Sequence, residues 1–483
     1  AAHLAIDNNM VSAHLDCGDN DASFVAESTF SIDPKAPAIT LSSAINRFTP
    51  SRFGLLPKYP GATICADIDI DAEGESWNTL TGHANVDNLS LKPVDSEGIS
   101  MRHFGITTNQ PSTGQSRIDI SSDYLDGTLL GSFNLKTLGH SVLDVLSTAF
   151  PALVPGHQHD TPEAPRVNDF IFDFKIKETE NLAEFFNLPV SVIYPVSVRG
   201  AVDQTSRDLE FNLSAPYLRQ GSKLIENTSL SAYVDGREER ARLNFCSSVP
   251  TKGGPMALEV KASGRNDTLR TTFGWKIDRQ RDYEGKIRLA TSFSRDEEGQ
   301  LLTSVAFRPS TATFNDSTWT ITPATINIKG RDISVDGLNV THGNQYIHIN
   351  GNVSPDPTSL LTLNLRDFSL DYLFESLGID AAMLGGDASG TFYASEIYSG
   401  SPRLETPGLH VKDISYNQTV LGDAVVRSWF NTDNKAVELR ADIDNDGRKS
   451  TIDGAIFATR DSLDLTFHVD RVPVGFLEHY MNA

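Results

Sequence analysis

A strand of alternating apolar residues that runs into one short amphipathic helix occurs four times in this chain, and that unit narrows the possible folds most. Phe133-Asn134-Leu135-Lys136 leads into Leu138, Val142, Val145 and Leu146; Phe174-Lys175-Ile176-Lys177 leads into Leu182, Phe185 and Phe186. Leu363-Asn364-Leu365-Arg366 leads into Leu370, Leu373, Phe374 and Leu377; Phe467-His468-Val469-Asp470 leads into Val474, Leu477 and Met481. The apolar period switches from 2 to about 3.6 at the same point in each copy, because alternate strand side chains share a face whereas helical ones align every third or fourth residue.

A second pattern precedes the helices. Val198-Arg199-Gly200-Ala201-Val202 reaches Leu209 to Leu213, Ile349-Asn350-Gly351-Asn352-Val353 reaches Leu360 to Leu365, and Ile452-Asp453-Gly454-Ala455-Ile456 reaches Leu463 to Val469. Each reads as a hairpin closed by turn residues such as Ser354-Pro355-Asp356-Pro357 and Thr459-Arg460-Asp461-Ser462. The glycine precedes the leucine by nine residues in all three, which points to one degenerate module with insertions between copies. The expected class is all-β: an elongated, curled antiparallel sheet or trough, β-taco-like, built from hairpin repeats with a few short amphipathic helices.

The boundaries follow from breakers and pattern. Residues 1–150 read as a β segment ending in the first helix, the Pro-rich stretch 151–165 as a loop, 166–310 as a middle β segment, and 311–483 as a β segment with the two last helices. Ala1-Ala2-His3-Leu4-Ala5-Ile6 already alternates, and the chain stops at Tyr480-Met481-Asn482-Ala483 within the helical pattern. A piece of a longer polypeptide is the expectation. No run approaches 18 apolar residues, so no membrane-spanning helix is expected. A formal charge of −22 disfavours nucleic acid or an anionic bilayer surface as partner. Cys17, Cys65 and Cys246 are too far apart for a metal motif and admit one bridge at most.

Three chemical motifs compete with blander readings. Asp442, Asp444, Asp446, Gly447 and Asp453 match alternate positions of a calcium loop, but their flanks alternate like strands, and an Asn-Asp-Gly hairpin turn accounts for them better. His157-Gln158-His159-Asp160 sits in the Pro-rich loop without a convergent partner, so a solvated loop is expected. Asp67, Asp69 and Asp71, interleaved with Ile68 and Ile70, mark the wet face of a strand. Nucleophile, phosphate-loop and zinc-protease motifs are missing from the sequence, and no enzyme, cofactor or metal is expected.

About 25 to 30 strands spaced about 4.7 Å apart would extend on the order of 120 to 140 Å, so they must stack or curl lengthwise. If they curl without closing, Leu209, Phe211 and Leu213, Ile347 and Ile349, Leu361, Leu363 and Leu365, and Leu463, Leu465, Phe467 and Val469 line a groove suited to acyl chains. If they close, the same residues meet in a dry core.

The segments Asn315-Asp316-Ser317-Thr318-Trp319, Ile333-Ser334-Val335-Asp336-Gly337-Leu338, Ile347-His348-Ile349-Asn350-Gly351, Leu370-Asp371-Tyr372-Leu373-Phe374, Gly390-Thr391-Phe392-Tyr393-Ala394 and Arg403-Leu404-Glu405-Thr406-Pro407 resemble the TamB family of translocation and assembly modules, in its Bacteroidota version. Ser122-Asp123-Tyr124-Leu125-Asp126-Gly127 with Phe133 to Leu153 resembles it too. The likeness spans most of the chain and is weakest from about 215 to 300. The family is AsmA-like and akin to bridge-like lipid transfer proteins. The resemblance implies a periplasmic trough in a Gram-negative envelope, anchored at its N-terminus by an inner-membrane helix that this chain lacks. It also implies phospholipid passage between the membranes, support of outer-membrane protein assembly, and contact with a BamA- or TamA-type barrel through regions outside this chain. The family carries no catalytic residues over. A structural or adhesive β-solenoid, or a polysaccharide-active enzyme on such a scaffold, are the other classes. The four tryptophans, Trp77, Trp275, Trp319 and Trp429, are too scattered to suggest a sugar platform.

Overall fold

The computed structural model describes residues 1–468 except 8, 34–35, 75–79, 96, 111–113, 155–167, 252, 278–282, 315–316, 371–383, 400–401, 417–418, 432, 434–435 and 458–461. The chain forms two compact units, Ala1–Asp267 and Thr268–Ala483, and both are antiparallel β-structures.

In the first unit the strands are β1 (Ala2–Asp7), β2 (Met10–Gly18), β3 (Ala22–Ser31), β4 (Ala38–Phe48), β5 (Thr63–Glu73), β6 (Thr81–Lys92), β7 (Ile99–Asn109), β8 (Ser116–Ser122), β9 (Leu125–Ser132), β10 (Asp169–Ile176), β11 (Ser191–Val192), β12 (Val196–Asp203), β13 (Asp208–Gln220), β14 (Lys223–Asp235), β15 (Arg240–Thr251) and β16 (Gly254–Arg265). Each pairs with its neighbour in sequence, except that the short β11 lies beside β13 and lets β10 pair directly with β12. Helix α1 (Leu138–Ser147) lies between β9 and β10, and α2 (Glu180–Phe186) between β10 and β11.

The second unit holds β17 (Thr268–Ile277), β18 (Tyr283–Arg295), β19 (Leu301–Phe314), β20 (Ser317–Ile321), β21 (Thr325–Lys329), β22 (Asp332–His342), β23 (Gln345–Val353), β24 (Leu360–Ser369), β25 (Leu384–Ser395), β26 (Arg403–Tyr416), β27 (Thr419–Asn431), β28 (Ala436–Asn445), β29 (Arg448–Phe457) and β30 (Ser462–His468). Here too the chain meanders, with β20 and β21 both pairing between β19 and β22.

The all-β class and its hairpin construction agree with the sequence pattern. The three glycine-bearing hairpins are β12–β13, β23–β24 and β29–β30. Of the four expected helices, two form. The third, expected over 370–377, is described only at Leu370, which is helical, and the fourth, expected over 474–481, lies outside the described residues. The strand expected at Phe133–Lys136 is corrected: Ser132 ends β9, and the next residues turn. Thr137 N–H donates to Asn134 O at 3.0 Å, and Asn134 N–H to Asn168 Oδ1 at 2.7 Å. Phe133 is thereby turned into a buried cluster with Phe170 and Val145, which mimics alternation in the sequence. Lys177 likewise lies just past β10.

So many twisted strands cannot lie flat side by side, and the first unit concentrates its bends along one edge. Register shifts fall at Ser23/Phe24, between Ile45 and Phe48, between Cys65 and Asp67, and between Glu226 and Ser229. All four lie toward the ends of strands that meet at a common edge, where β4 ends and β5 and β14 begin. An extra residue bends its strand and raises local twist, so aligned bulges flex the whole edge together. Two insertions decorate this edge. The loop after β4 carries Tyr59, which stacks on Phe185 of α2 with ring centroids 5.3 Å apart.

Gly131 shows how tightly β9 and β10 approach. Its φ is +151°, and a Cβ there would lie 2.1 Å from Asp169 O. Gly131→Ala should therefore destabilise the first unit by on the order of 3 kcal/mol, read as a lowered midpoint in chemical denaturation. Gly18→Ala, at a site with nothing within 4 Å, should leave the midpoint nearly unchanged.

Candidate apolar binding face

Directly opposed residues in a sheet share a face, so the register assigns every side chain. In the first unit Phe170, Val202, Leu209, Val234 and Ala241 form one cross-strand row. Phe172, Gly200, Phe211, Ala232 and Leu243 form the next, and Phe174, Val198, Leu213, Leu230 and Phe245 a third. The same face continues through Leu129 and Ile118 on β9 and β8, Ile106 on β7, Ala84 on β6, Ile70 on β5 and Leu41 on β4. The register places apolar residues on one face of strand after strand across the unit.

The opposite face is polar. Asp67, Asp69 and Asp71 occupy it on β5, as the alternation predicts. Asp69 meets His83 Nε2 at 2.8 Å, and Asp67 accepts from Asn88 Nδ2 at 2.8 Å. Asp87 pairs with His103 Nδ1 at 2.7 Å, and Arg199 with Asp173 at 3.0 Å. Asp119 accepts from Arg117 Nε at 2.6 Å and from Thr128 Oγ1 at 2.7 Å; the arginine, foremost, holds its carboxyl below the usual carboxylate range. Among the described residues no three His, Cys, Asp or Glu side chains are grouped to hold a metal ion.

In the second unit Ile347 opposes Leu365, Ile349 opposes Leu363, and Gly351 opposes Leu361. Val340 and Leu338 continue the face on β22, and Phe392 and Ala394 continue it on β25. Further along, Val411, Ala424 and Ile443 lie in one row, with Ala441 opposite Ile452. Leu463, Leu465 and Phe467 take register positions opposite Ile456, Gly454 and Ile452. The side chains of these three, and Val469 altogether, lie outside the described residues. The structure thus brings Leu209, Phe211 and Leu213 onto one face of the first unit, and Ile347, Ile349, Leu361, Leu363 and Leu365 onto one face of the second.

These faces combine deeply buried rows with rows that are only partly covered. Phe211, Leu213, Ile347, Ile349, Leu361, Leu363 and Leu365 are all only partly buried. Burial is deep in the first unit where α1 lies, with Leu209 8% and Val234 1% exposed, and again at the opposite strand ends, where Val196 and Ala215 are buried; in the second unit Val411, Ala424, Ala441, Ile443 and Ile452 form a buried cluster. Aromatic rings press flat onto the sheet where glycine leaves room. Phe174 lies over Gly127 and Phe172 over Gly200, each against the position a Cβ would fill.

Sequence reasoning did not place Phe172, Phe174, Leu230 and Phe245 among the groove residues, although period-2 alternation marks them as plainly as Leu213. Two motifs singled out by sequence are resolved differently. Asp446 and Gly447 form a two-residue turn with φ of 52° and 84° between β28 and β29, as the hairpin reading expects. His157 to Asp160 lie outside the described residues. Cys17, Cys65 and Cys246 are free thiols.

No family model matches this chain, and no curated protein matches it.

The turn geometry also decides the calcium question. Asp442 is held by Arg427 at 2.5 Å and by Arg440 at 3.1 Å, and Asp444 Oδ1 accepts the Gly447 N–H at 2.8 Å. Millimolar calcium should therefore shift neither the thermal unfolding nor the heat of titration, whereas a true loop of this ligand type binds at or below that concentration.

Proposed function

We propose that the apolar face of each unit takes up phospholipid acyl chains, and that the protein acts as part of a TamB-like, AsmA-related periplasmic conduit. In this reading it moves phospholipids between the inner and outer membranes of a Gram-negative envelope and supports outer-membrane protein assembly. A BamA- or TamA-type barrel would be engaged by regions beyond this chain. The observation that carries the reading is an apolar face, in register from strand to strand, whose middle rows are only partly buried, backed by a polar face that carries cross-strand ion pairs.

The physical fit is good. Acyl chains need non-directional apolar burial and nothing else, and the faces offer aliphatic and flattened aromatic side chains without an ionic group between them. Each buried methylene is worth about 0.8 kcal/mol against water. A lipid arriving from a bilayer leaves a comparable apolar environment, however, so its net gain is small. Near balance, chains exchange and move along rather than becoming trapped.

Mass spectrometry of organic extracts from the purified protein should find about one or more phospholipids per chain, enriched over a control protein of matched size and charge. Phe211→Glu and Ile349→Glu test the two units separately. A carboxylate on a face in contact with lipid should cut retained lipid severalfold while the fold persists, because a partly exposed charge can still be hydrated; in a closed core it would unfold the unit. A wild-type extract no richer than the control, or folded charge variants with full lipid occupancy, would sink the proposal.

A further inference from the structure

Helix α1 buries the rows at one end of the apolar face in the first unit. Leu138, Val142, Val145 and Leu146 pack against Leu129, Phe133, Phe170, Val202, Leu209 and Val234, and Val145 is 0% exposed. The helix crosses the strand ends instead of running along a strand. Its start is tied near β9 and β10, where Asn134 bonds Asn168. Its far end reaches the turn after β16, where Asp267 N–H donates to Ala149 O at 3.0 Å and Asp267 Oδ1 accepts from Ala152 N–H at 2.7 Å.

A polar latch fixes it. Asn168, 1% exposed as a residue, donates through Nδ2 to Thr137 Oγ1 at 2.9 Å and to Ser141 Oγ at 2.5 Å. Its backbone N–H donates to Gln204 Oε1 at 3.0 Å, and Gln204 Nε2 donates to Asp144 Oδ2 on the helix at 2.7 Å. The helix itself is weakly built. It spans 10 residues, its N-cap Thr137 makes no side-chain capping bond, and no acidic residue supports its first turn. A helix that short is marginal in water by itself, so its helicity depends on docking.

We propose that α1 is a displaceable occupant of the apolar face, an internal plug whose aliphatic side chains hold the rows that an acyl chain would otherwise cover. Asn168 and Gln204 are its positioning residues. Their hydrogen bonds can be exchanged for bonds to water at small net cost, whereas the apolar rows beneath must be covered by something. Lipid and helix therefore compete for Phe170, Val202, Leu209 and Val234. The inference rests on the acyl-chain reading above.

The test uses the full chain and phosphatidylcholine vesicles containing a phosphatidylcholine with a diazirine at its acyl terminus, with labelled residues mapped by peptide mass spectrometry. In the wild type, label should fall on the row of Phe174, Val198, Leu213 and Leu230 and spare the row of Val202, Leu209 and Val234. Asn168→Ala with Gln204→Ala should raise end-row label at least tenfold relative to that middle row. A second protein, Ser141→Cys with Asn168→Cys in a background with serine at 17, 65 and 246, should show the rise when reduced and lose it when oxidised, which an unfolding effect would not reverse. End-row label already equal to middle-row label in the wild type, or indifferent to the redox state of the locked variant, overturns the plug and leaves lipid uptake standing. Absence of label from both rows in every variant overturns the acyl-chain reading, and the plug with it.

Discussion

Everything in this structure follows from faces of opposite chemistry kept in register over many strands. A sheet with one apolar face ordinarily buries it against another layer, and here that face is deeply buried at some rows and only partly covered at others. The polar face shows why the sheets need no second layer there. Asp67, Asp69, Asp87 and Asp119 find His, Asn, Arg or Thr partners across the strands. These carboxylates thus stay on the wet face, where their charge favours solubility.

The faces were legible because alternation is a local property: Ile68 and Ile70 against Asp67 and Asp69 state their side within a few residues, and register then carries it from strand to strand. The latch was not legible. Asn168 follows a stretch read as loop, and its partners lie 27 to 36 residues away in sequence; a hydrogen bond across that distance leaves no periodic trace. Phe133-Asn134-Leu135-Lys136 misled because a turn that buries one aromatic residue alternates as a strand does. The bulges escaped for a related reason. Cys65-Ala66-Asp67 on β5 and Asn88 on β6 give no local sign of a shifted register until the strands are paired.

Glycine has a shaping part in this arrangement. Wherever Phe172 or Phe174 meets Gly200 or Gly127, the missing Cβ lets the ring lie against the backbone instead of standing up from it. A standing ring would interrupt an apolar surface; a flattened one extends it. Strand propensity alone would favour valine or isoleucine at these positions, so the glycines weaken the strands locally and are kept where a ring takes up the space.

The edges, not the face, carry the directional chemistry. A surface made of leucine, isoleucine and phenylalanine discriminates poorly between apolar chains, because dispersion and hydrophobic burial depend on area more than on pattern. Beside the apolar face, directional bonds lie where strands end: those of Asn168 and Gln204 at one edge, and Arg219 with Glu180 of α2 at the other, next to the loop around Tyr59. Apolar side chains stand exposed at that second edge, among them Phe53, Leu55, Phe186 and Leu188. If selectivity among ligands exists, it therefore has to arise at the strand ends, through which parts of the face are covered and when, because the face itself has no means to tell one chain from another.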